Sequence, residues 1–140
     1  MQFKCFSPRN VFRNHLVYGL LRKYRVSGNL LDIGSGAGCW GLFAHKRGYK
    51  VALMDPSPAA CSPKEGIGLL RCSVSEKEPG ISYNIVTLME VLEHINDDAS
   101  FFKSVGNWIK PQGLLIITVP VNPRLWNISD ELAGHFRRYT

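Results

Sequence analysis

Two aspartates, Asp32 and Asp55, flank three alternating glycines, Gly34, Gly36 and Gly38. An apolar run, Leu30-Leu31-Asp32-Ile33, leads into the glycines, and a second, Val51-Ala52-Leu53-Met54, leads into Asp55. A strand, a glycine turn, a helix and a second strand closed by a carboxylate form a nucleoside-binding half-site. Glycine lets the backbone turn tightly and approach a ligand with no Cβ in the way. A carboxylate at the tip of the second strand is placed to accept from two ribose hydroxyls.

The spacing bears on which nucleoside. A dinucleotide fingerprint reads G-x-G-x-x-G, with the helix N-terminus turned to a pyrophosphate. Counted from Gly34, its third glycine falls on Cys39; counted from Gly36, it runs through Gly38 to Gly41. That shifted register keeps a nicotinamide-dependent oxidoreductase open as an alternative. The pattern as written, however, is D-x-G-x-G-x-G. Asp32 would repel a pyrophosphate and suits a cationic ligand with an amino group.

The elements that must hold these residues follow from the apolar pattern. It predicts an amphipathic helix near 10–25, a strand at 29–33, a helix at 38–47 and a strand at 50–55. A proline-broken stretch follows at 56–65, then a strand near 67–73 and a loop at 74–82. Further on come a strand at 83–89, a helix near 97–109, a turn at Pro111-Gln112-Gly113 and a strand at 114–119. In the first helix, Phe12, Leu16, Leu20 and Tyr24, with Val17 and Leu21 beside them, recur at helical spacing. Helices alternating with β-branched apolar strands call for an α/β fold, a Rossmann-like, mainly parallel sheet with helices on both faces.

The 140 residues suffice for one domain with its own core. Its parts are a basic amphipathic helix region over 1–27, a cofactor-binding core over 28–120 and a tail over 121–140. No apolar run reaches membrane-spanning length and the first ten residues lack a signal-peptide core, which places the protein in the cytoplasm. The four cysteines, Cys5, Cys39, Cys61 and Cys72, show no C-x-x-C pair and no histidine at metal-ligand spacing. Free thiols and no metal site are the expectation. The net charge of +6 comes from the N-terminal segment, where Lys4, Arg9, Arg13, Arg22, Lys23 and Arg25 meet no acidic residue before Gly28. The solvated face of a helix accounts for it better than an anionic partner does.

Further motifs carry a resemblance. They are Asp32 to Gly38, the run Tyr83 to Ile95 with its V-L-E-H sequence, Trp108 to Pro120 with its turn at Pro111-Gln112-Gly113, and Gly134-His135-Phe136-Arg137-Arg138-Tyr139-Thr140. In that order they resemble the class I S-adenosylmethionine-dependent methyltransferases, in particular the type 11/type 23 small-molecule group. The resemblance spans roughly residues 28–140 and implies S-adenosyl-L-methionine as cofactor. It puts Asp32, Gly34 and Gly36 at the methionine moiety, Asp55 at the ribose, and Ser73 and Val74 at the adenine. Met89 and Glu90 would lie between the amino-acid end of the cofactor and the methyl acceptor. Ser73 stands where relatives usually carry an acidic residue, and a neutral acceptor binds the adenine amino group more weakly.

Methyl transfer from a sulfonium needs in-line alignment, and most of its rate comes from positioning. For an acceptor that must lose a proton, His94 is the candidate catalytic base, because an imidazole titrates near neutrality; His135 and Tyr139 come second. Glu90 and Glu93 read as cofactor contacts or caps. The acceptor is expected to be a small molecule; the N-P-P-Y run of adenine-amino methyltransferases is absent, so DNA is not expected. The family's sixth and seventh strands have no counterpart after Val119. Strand 114–119 would then be an apolar edge, to be covered by the tail, by a second copy or by a partner chain, or to remain open. An inactive, truncated binding domain or partner subunit is the second alternative.

Overall fold

The computed structural model describes residues 7–57, 66–75 and 80–140. Most of the proline-broken stretch and part of the 74–82 loop lie outside them. The first helix, α1 (Pro8–Lys23), starts where Ser7 accepts from the Asn10 amide and Pro8 takes a position that needs no N–H. Strand β1 (Asn29–Ile33) follows, then α2 (Cys39–His45), β2 (Lys50–Met54) and a short β3 (Gly68–Leu70). After β4 (Tyr83–Met89) come a single 3-10 turn (Leu92–His94), α3 (Asp98–Gly106) and β5 (Ile109–Thr118). A second 3-10 turn (Pro123–Leu125) and α4 (Ile128–Ala133) make up most of the tail.

All five strands are parallel, in the order β3-β2-β1-β4-β5. The chain winds outward from β1 through β2 to β3, then returns to β4 on the other side of β1. The switch point therefore lies between β1 and β4, where a parallel sheet opens a crevice beyond its carboxyl ends. The strands alternate between two cores. Leu30, Ile85 and Met89 face Val17 and Leu21 of α1 and Trp40 and Ala44 of α2. Leu31, Ile33, Val86 and Leu88 face Val105 and Trp108 at the end of α3. Helices on both faces are what the continuous apolar strands require.

Three local expectations are corrected. The buried face of α1 is Asn14, Val17 and Leu21, while Phe12 (71% exposed), Leu16 (55%) and Tyr24 (57%) point outward. Apolar residues recur at helical spacing on both sides of this helix, and contact with the sheet selects one side; burying Val17 and Leu21 contributes about 1.5–3 kcal/mol each. The helix expected to reach residue 109 ends at Gly106, because Trp108 turns into the core. The turn at 111–113 lies inside β5, not before it. Tyr83 pairs with Ile109 but Ile85 with Leu114, so the strand bulges over Lys110 to Gly113, with Gln112 at φ +63°.

The tail does not cover β5. It crosses the carboxyl end of the sheet, where Val121 bridges to Tyr139 and the Phe136 amide donates to the Glu93 carbonyl at 2.7 Å. Arg137 pairs with Asp98 at 2.7 Å, and the Tyr139 hydroxyl donates to the Leu92 carbonyl and to Asp98. Leu132 is 83% exposed and Phe136 56% exposed. Among the described residues β5 is an edge strand with Leu114, Leu115 and Ile117 only half-buried.

Candidate functional site

Two cavities share the crevice beyond β1 and β4. The larger, about 690 Å³, is lined by Asp32, Gly34, Gly36, Met89, Glu90 and His94, with Arg13 from α1 and His135 from the tail. The smaller, about 350 Å³, is lined by Gly34, Asp55, Ser73, Val74, Glu90 and His94, with Phe101 of α3 behind them. Every cofactor-site residue expected from the sequence, with His94 and His135, therefore lines one cavity or the other, and Gly34, Glu90 and His94 stand between them. Tyr139 lines neither and acts as a tail clamp. Together the volumes lie in the ordinary range for a cofactor and a small ligand.

The glycine loop is fixed by its neighbours. The amides of Gly34 and Ser35 both donate to the Met54 carbonyl, at 2.8 and 3.2 Å. Gly34 has φ +67°, and a Cβ there would meet the Val91 side chain at 2.5 Å. Gly36 also has positive φ, but a Cβ on it would enter open space, the space of the cavity. The Gly41 of the shifted register lies within α2, where a Cβ would strike Leu53 at 2.3 Å. Its work is to let helix and sheet approach.

Asp55 has its two oxygens held by backbone amides, Oδ2 by Gly36 and Oδ1 by Ser57, both at 2.8 Å. A carboxylate offers about four lone-pair sites, so acceptor capacity remains for ribose hydroxyls, and the same bonds couple the glycine loop to the tip of β2. Asp32 is deeper, 2% exposed on the α1/α2 face of the sheet. Thr87 Oγ1 donates to Asp32 Oδ1 at 2.9 Å, and Trp40 Nε1 donates to Thr87 at 3.0 Å. Burial outweighs the Thr87 hydrogen bond and the nearby Arg13 and pushes the Asp32 carboxyl up to about 7. A cationic amino group at this position would supply the counter-charge that the carboxylate lacks.

Sequence reasoning placed the basic residues of α1 on a solvated face. That holds for Arg22, Lys23 and Arg25, and for Arg9, which is exposed although it is paired, but not for Arg13. Arg9 and Arg13 both pair with Glu90, Arg13 at 3.2 Å. Burial opposes the charge on Glu90, but the two guanidinium groups overcome it and hold the carboxyl below its ordinary range. Glu90 sits at φ +60°, a costly conformation for a residue with a side chain and one found at functional sites. The Nε of Arg13 is buried without a partner among the described residues, and the residue lines the larger cavity. No signal in the sequence marked it, since the contact joins the first helix to the tip of β4.

Glu93 is 1% exposed, and burial raises its carboxyl above the ordinary range. Beside it stand His94 and His135, their rings edge to face at 4.7 Å. His135 Nδ1 lies 2.8 Å from Asp130 Oδ1, and Arg138 donates to both oxygens of Asp130, which that charge holds well below the usual carboxylate range. Linear spacing showed no grouping of these side chains; the tail makes one by bringing His135 against the 3-10 turn. The expectation of free thiols is corrected at Cys39, on the wall of the larger cavity, which is held in a disulfide; Cys72 is free.

A family model described as "Methyltransferase domain" matches residues 9–139. Among curated proteins, the ubiquinone biosynthesis O-methyltransferase of Sodalis glossinidius (strain morsitans) is 31% identical over 110 residues, 70% of this chain and 44% of that one. The enzyme of the same name from Bradyrhizobium diazoefficiens is 33% identical over 97 residues, 64% of this chain and 38% of that one. The chain thus spans less than half the length of the curated relatives it matches. Among solved structures, PH0226 from Pyrococcus horikoshii OT3 superposes with a TM-score of 0.71 at 18% identity, over 94% of this chain and 64% of that one. The DhpI-SAM-HEP complex gives 0.65 at 21% identity, over 86% and 60%. At these identities the likeness is one of fold. No helix among the described residues is long and apolar enough to cross a membrane.

Proposed function

The chain belongs to the methyltransferase domain family, and from that membership we propose that its site transfers the methyl group of S-adenosyl-L-methionine to a small-molecule acceptor. The observation that carries the reading is the convergence of Asp32, Gly36, Asp55 and Glu90 on adjoining cavities at the sheet's switch point. The adenosine lies across Gly34 into the smaller cavity, its ribose on Asp55 and its adenine against Ser73, Val74 and Phe101. The methionine moiety lies over Gly34 and Gly36 in the larger cavity. Its ammonium meets Asp32, and its carboxylate meets the Arg13 guanidinium, which offers a fork of N–H donors. Met89 and Glu90 flank the sulfonium end.

The acceptor enters from the side of His94 and the tail. A hydroxyl acceptor is supported by the relatives named O-methyltransferase. Bound there, S-adenosyl-L-methionine would supply the methyl group as an electrophile and would be left as S-adenosylhomocysteine, with His94 placed to take the hydroxyl proton. The protein contributes mainly alignment, and activation of the hydroxyl falls to His94. Calorimetry on the purified chain tests the reading: S-adenosylhomocysteine should bind at one site per chain and NADH should not. Binding of NADH in preference would return the shifted glycine register and its oxidoreductase to favour.

A further inference from the structure

Six exposed cations gather at the amino end of the sheet, opposite the cavities: Arg22, Lys23 and Arg25 where α1 ends, and Lys46, Arg47 and Lys50 where α2 gives way to β2. We propose that this patch is a docking surface for single-stranded nucleic acid, with phosphates on the cations and a base on the ring of Tyr24.

The fold draws two separate stretches of sequence together here. The Tyr49 hydroxyl donates to the Val26 carbonyl at 3.2 Å, and the Lys50 amide donates to the Gly28 carbonyl at 3.2 Å. Arg47 reaches from α2 toward α1, its guanidinium carbon 3.4 Å from the Phe43 ring centre and 5.1 Å from that of Tyr18. No carboxylate balances these charges. Between Met1 and Met54 the one acidic residue is Asp32, which is buried. The other described acids lie beyond the carboxyl ends of the strands or on the tail. Among the described residues none of the six cations forms an ion pair. An unbalanced patch of this kind attracts a polyanion over about 8–10 Å of salt solution.

Arg25 separates the patch from an ordinary solvated face. The α1 helix ends in a Schellman turn, in which the Val26 amide donates to the Leu21 carbonyl and the Arg25 amide to the Arg22 carbonyl, both at 3.2 Å. That turn holds Arg25 at φ +53°, a left-handed position that favours glycine. Glycine does stand at the comparable places after the other helices, Gly48 (φ +92°) beyond α2 and Gly134 (φ +72°) beyond α4. At the end of α1 the chain keeps a guanidinium against the preference of the backbone. Helix dipoles favour cations at the ends of α1 and α2. They do not call for a side chain at the left-handed position, nor for Lys50 on a strand.

Tyr24 decides the kind of polyanion. It is 57% exposed between Lys23 and Arg25, and an exposed ring among cations is a stacking platform for a base. A duplex hides its base faces, so a single strand is the form that fits. A bilayer is gripped by aliphatic side chains set among the cations. This patch exposes none that is large; Phe12 and Leu16 stand earlier along α1. Because the patch lies away from the cofactor cavities, it stands apart from the methyltransferase reading.

The test is fluorescence anisotropy of a fluorescein-labelled oligouridylate of about 15 nucleotides, titrated with the purified chain. The parent should bind with a Kd of about 1–100 μM at about 50 mM NaCl, and more weakly as salt rises. Arg25→Gly should bind about threefold or more weakly and lower the salt slope by about 0.7, while melting at the same or a higher temperature. The double variant Lys46→Gln with Lys50→Gln should lose about fivefold or more, and Lys103→Gln on α3, the control, should match the parent. Tyr24→Leu should weaken binding and leave the salt slope unchanged. Absence of binding by the parent, or binding undiminished by Arg25→Gly or by the lysine pair, overturns the surface. Binding to phosphatidylcholine–phosphatidylglycerol vesicles in place of the oligonucleotide, lost in the same variants, overturns the nucleic acid and makes the partner a bilayer.

Discussion

The hydroxyl of Thr87, in the middle of β4, donates to the Asp32 carboxylate of β1 at 2.9 Å, and it is the one hydrogen bond shown for that carboxylate among the described residues. Both residues point to the α1/α2 face, so the carboxylate is built into the interior of the sheet.

A pH dependence follows. Burial raises Asp32 from an ordinary 3.8 to about 7, so the folded chain holds this proton where the unfolded chain has lost it. The resulting stabilisation is complete below about pH 4 and lost as pH rises through about 7. A cationic ligand needs the ionised form, so S-adenosylhomocysteine affinity should move the opposite way and strengthen from pH 6 to 8. Thermal melts and calorimetry across that range check both slopes. Asp32→Asn should flatten both, and an unaltered slope in that variant would assign the effect to another group.

Thr87→Val removes the donor to Asp32 and the acceptor of Trp40 Nε1 while keeping the side-chain shape. Two buried polar groups are left unpaired, each costing about 1–3 kcal/mol. The melting temperature should fall by several degrees. An unchanged melting temperature and unchanged cofactor affinity together would show that the relay is idle.

Asp55→Ala should remove most cofactor affinity, since hydrogen bonds to a charged group contribute about 1.5–3 kcal/mol each. It also frees the amides of Gly36 and Ser57, so the glycine loop should show faster amide exchange at Gly36. Undiminished S-adenosylhomocysteine binding would remove Asp55 from the ribose.

Arg13→Ala tests the carboxylate contact. It should weaken S-adenosylhomocysteine by about tenfold, roughly the 1.4 kcal/mol of one modest charged contact. Adenosine, which has no carboxylate, should bind the variant as well as it binds the parent. Equal losses for both ligands would make Arg13 a structural partner of Glu90 only.

The free edge of β5 predicts association of the 140-residue chain. Half-buried Leu114, Leu115 and Ile117, with the outer backbone of a strand that has no further strand beside it among the described residues, form a template for another strand. Light scattering should give a mass that rises with concentration. A constant monomer mass would show that the bulge at Lys110 to Gly113 is enough to protect the edge.

The sequence by itself determined the order of the strands and the loop that joins the first two. Continuous apolar runs ending at glycines or acids marked β1 at 29–33 and β4 at 83–89 to the residue. The glycine loop with Asp32 before it and Asp55 after it is local chain chemistry, set by backbone dihedrals and by the strand tips it connects. Tertiary structure decided what depends on distant partners. Phe12 and Leu16 read as part of the inner stripe of α1 as readily as Val17 and Leu21 do, and only packing on the sheet chose between them. Arg13 reads as a solvated cation until α1 lays it against Glu90. His94 and His135 stand 41 residues apart and become neighbours because the tail runs back across the carboxyl ends of the strands, drawn by Arg137 to Asp98 and by the Phe136 amide to Glu93. Periodicity records which residues share a face of one element; it holds no record of which faces meet.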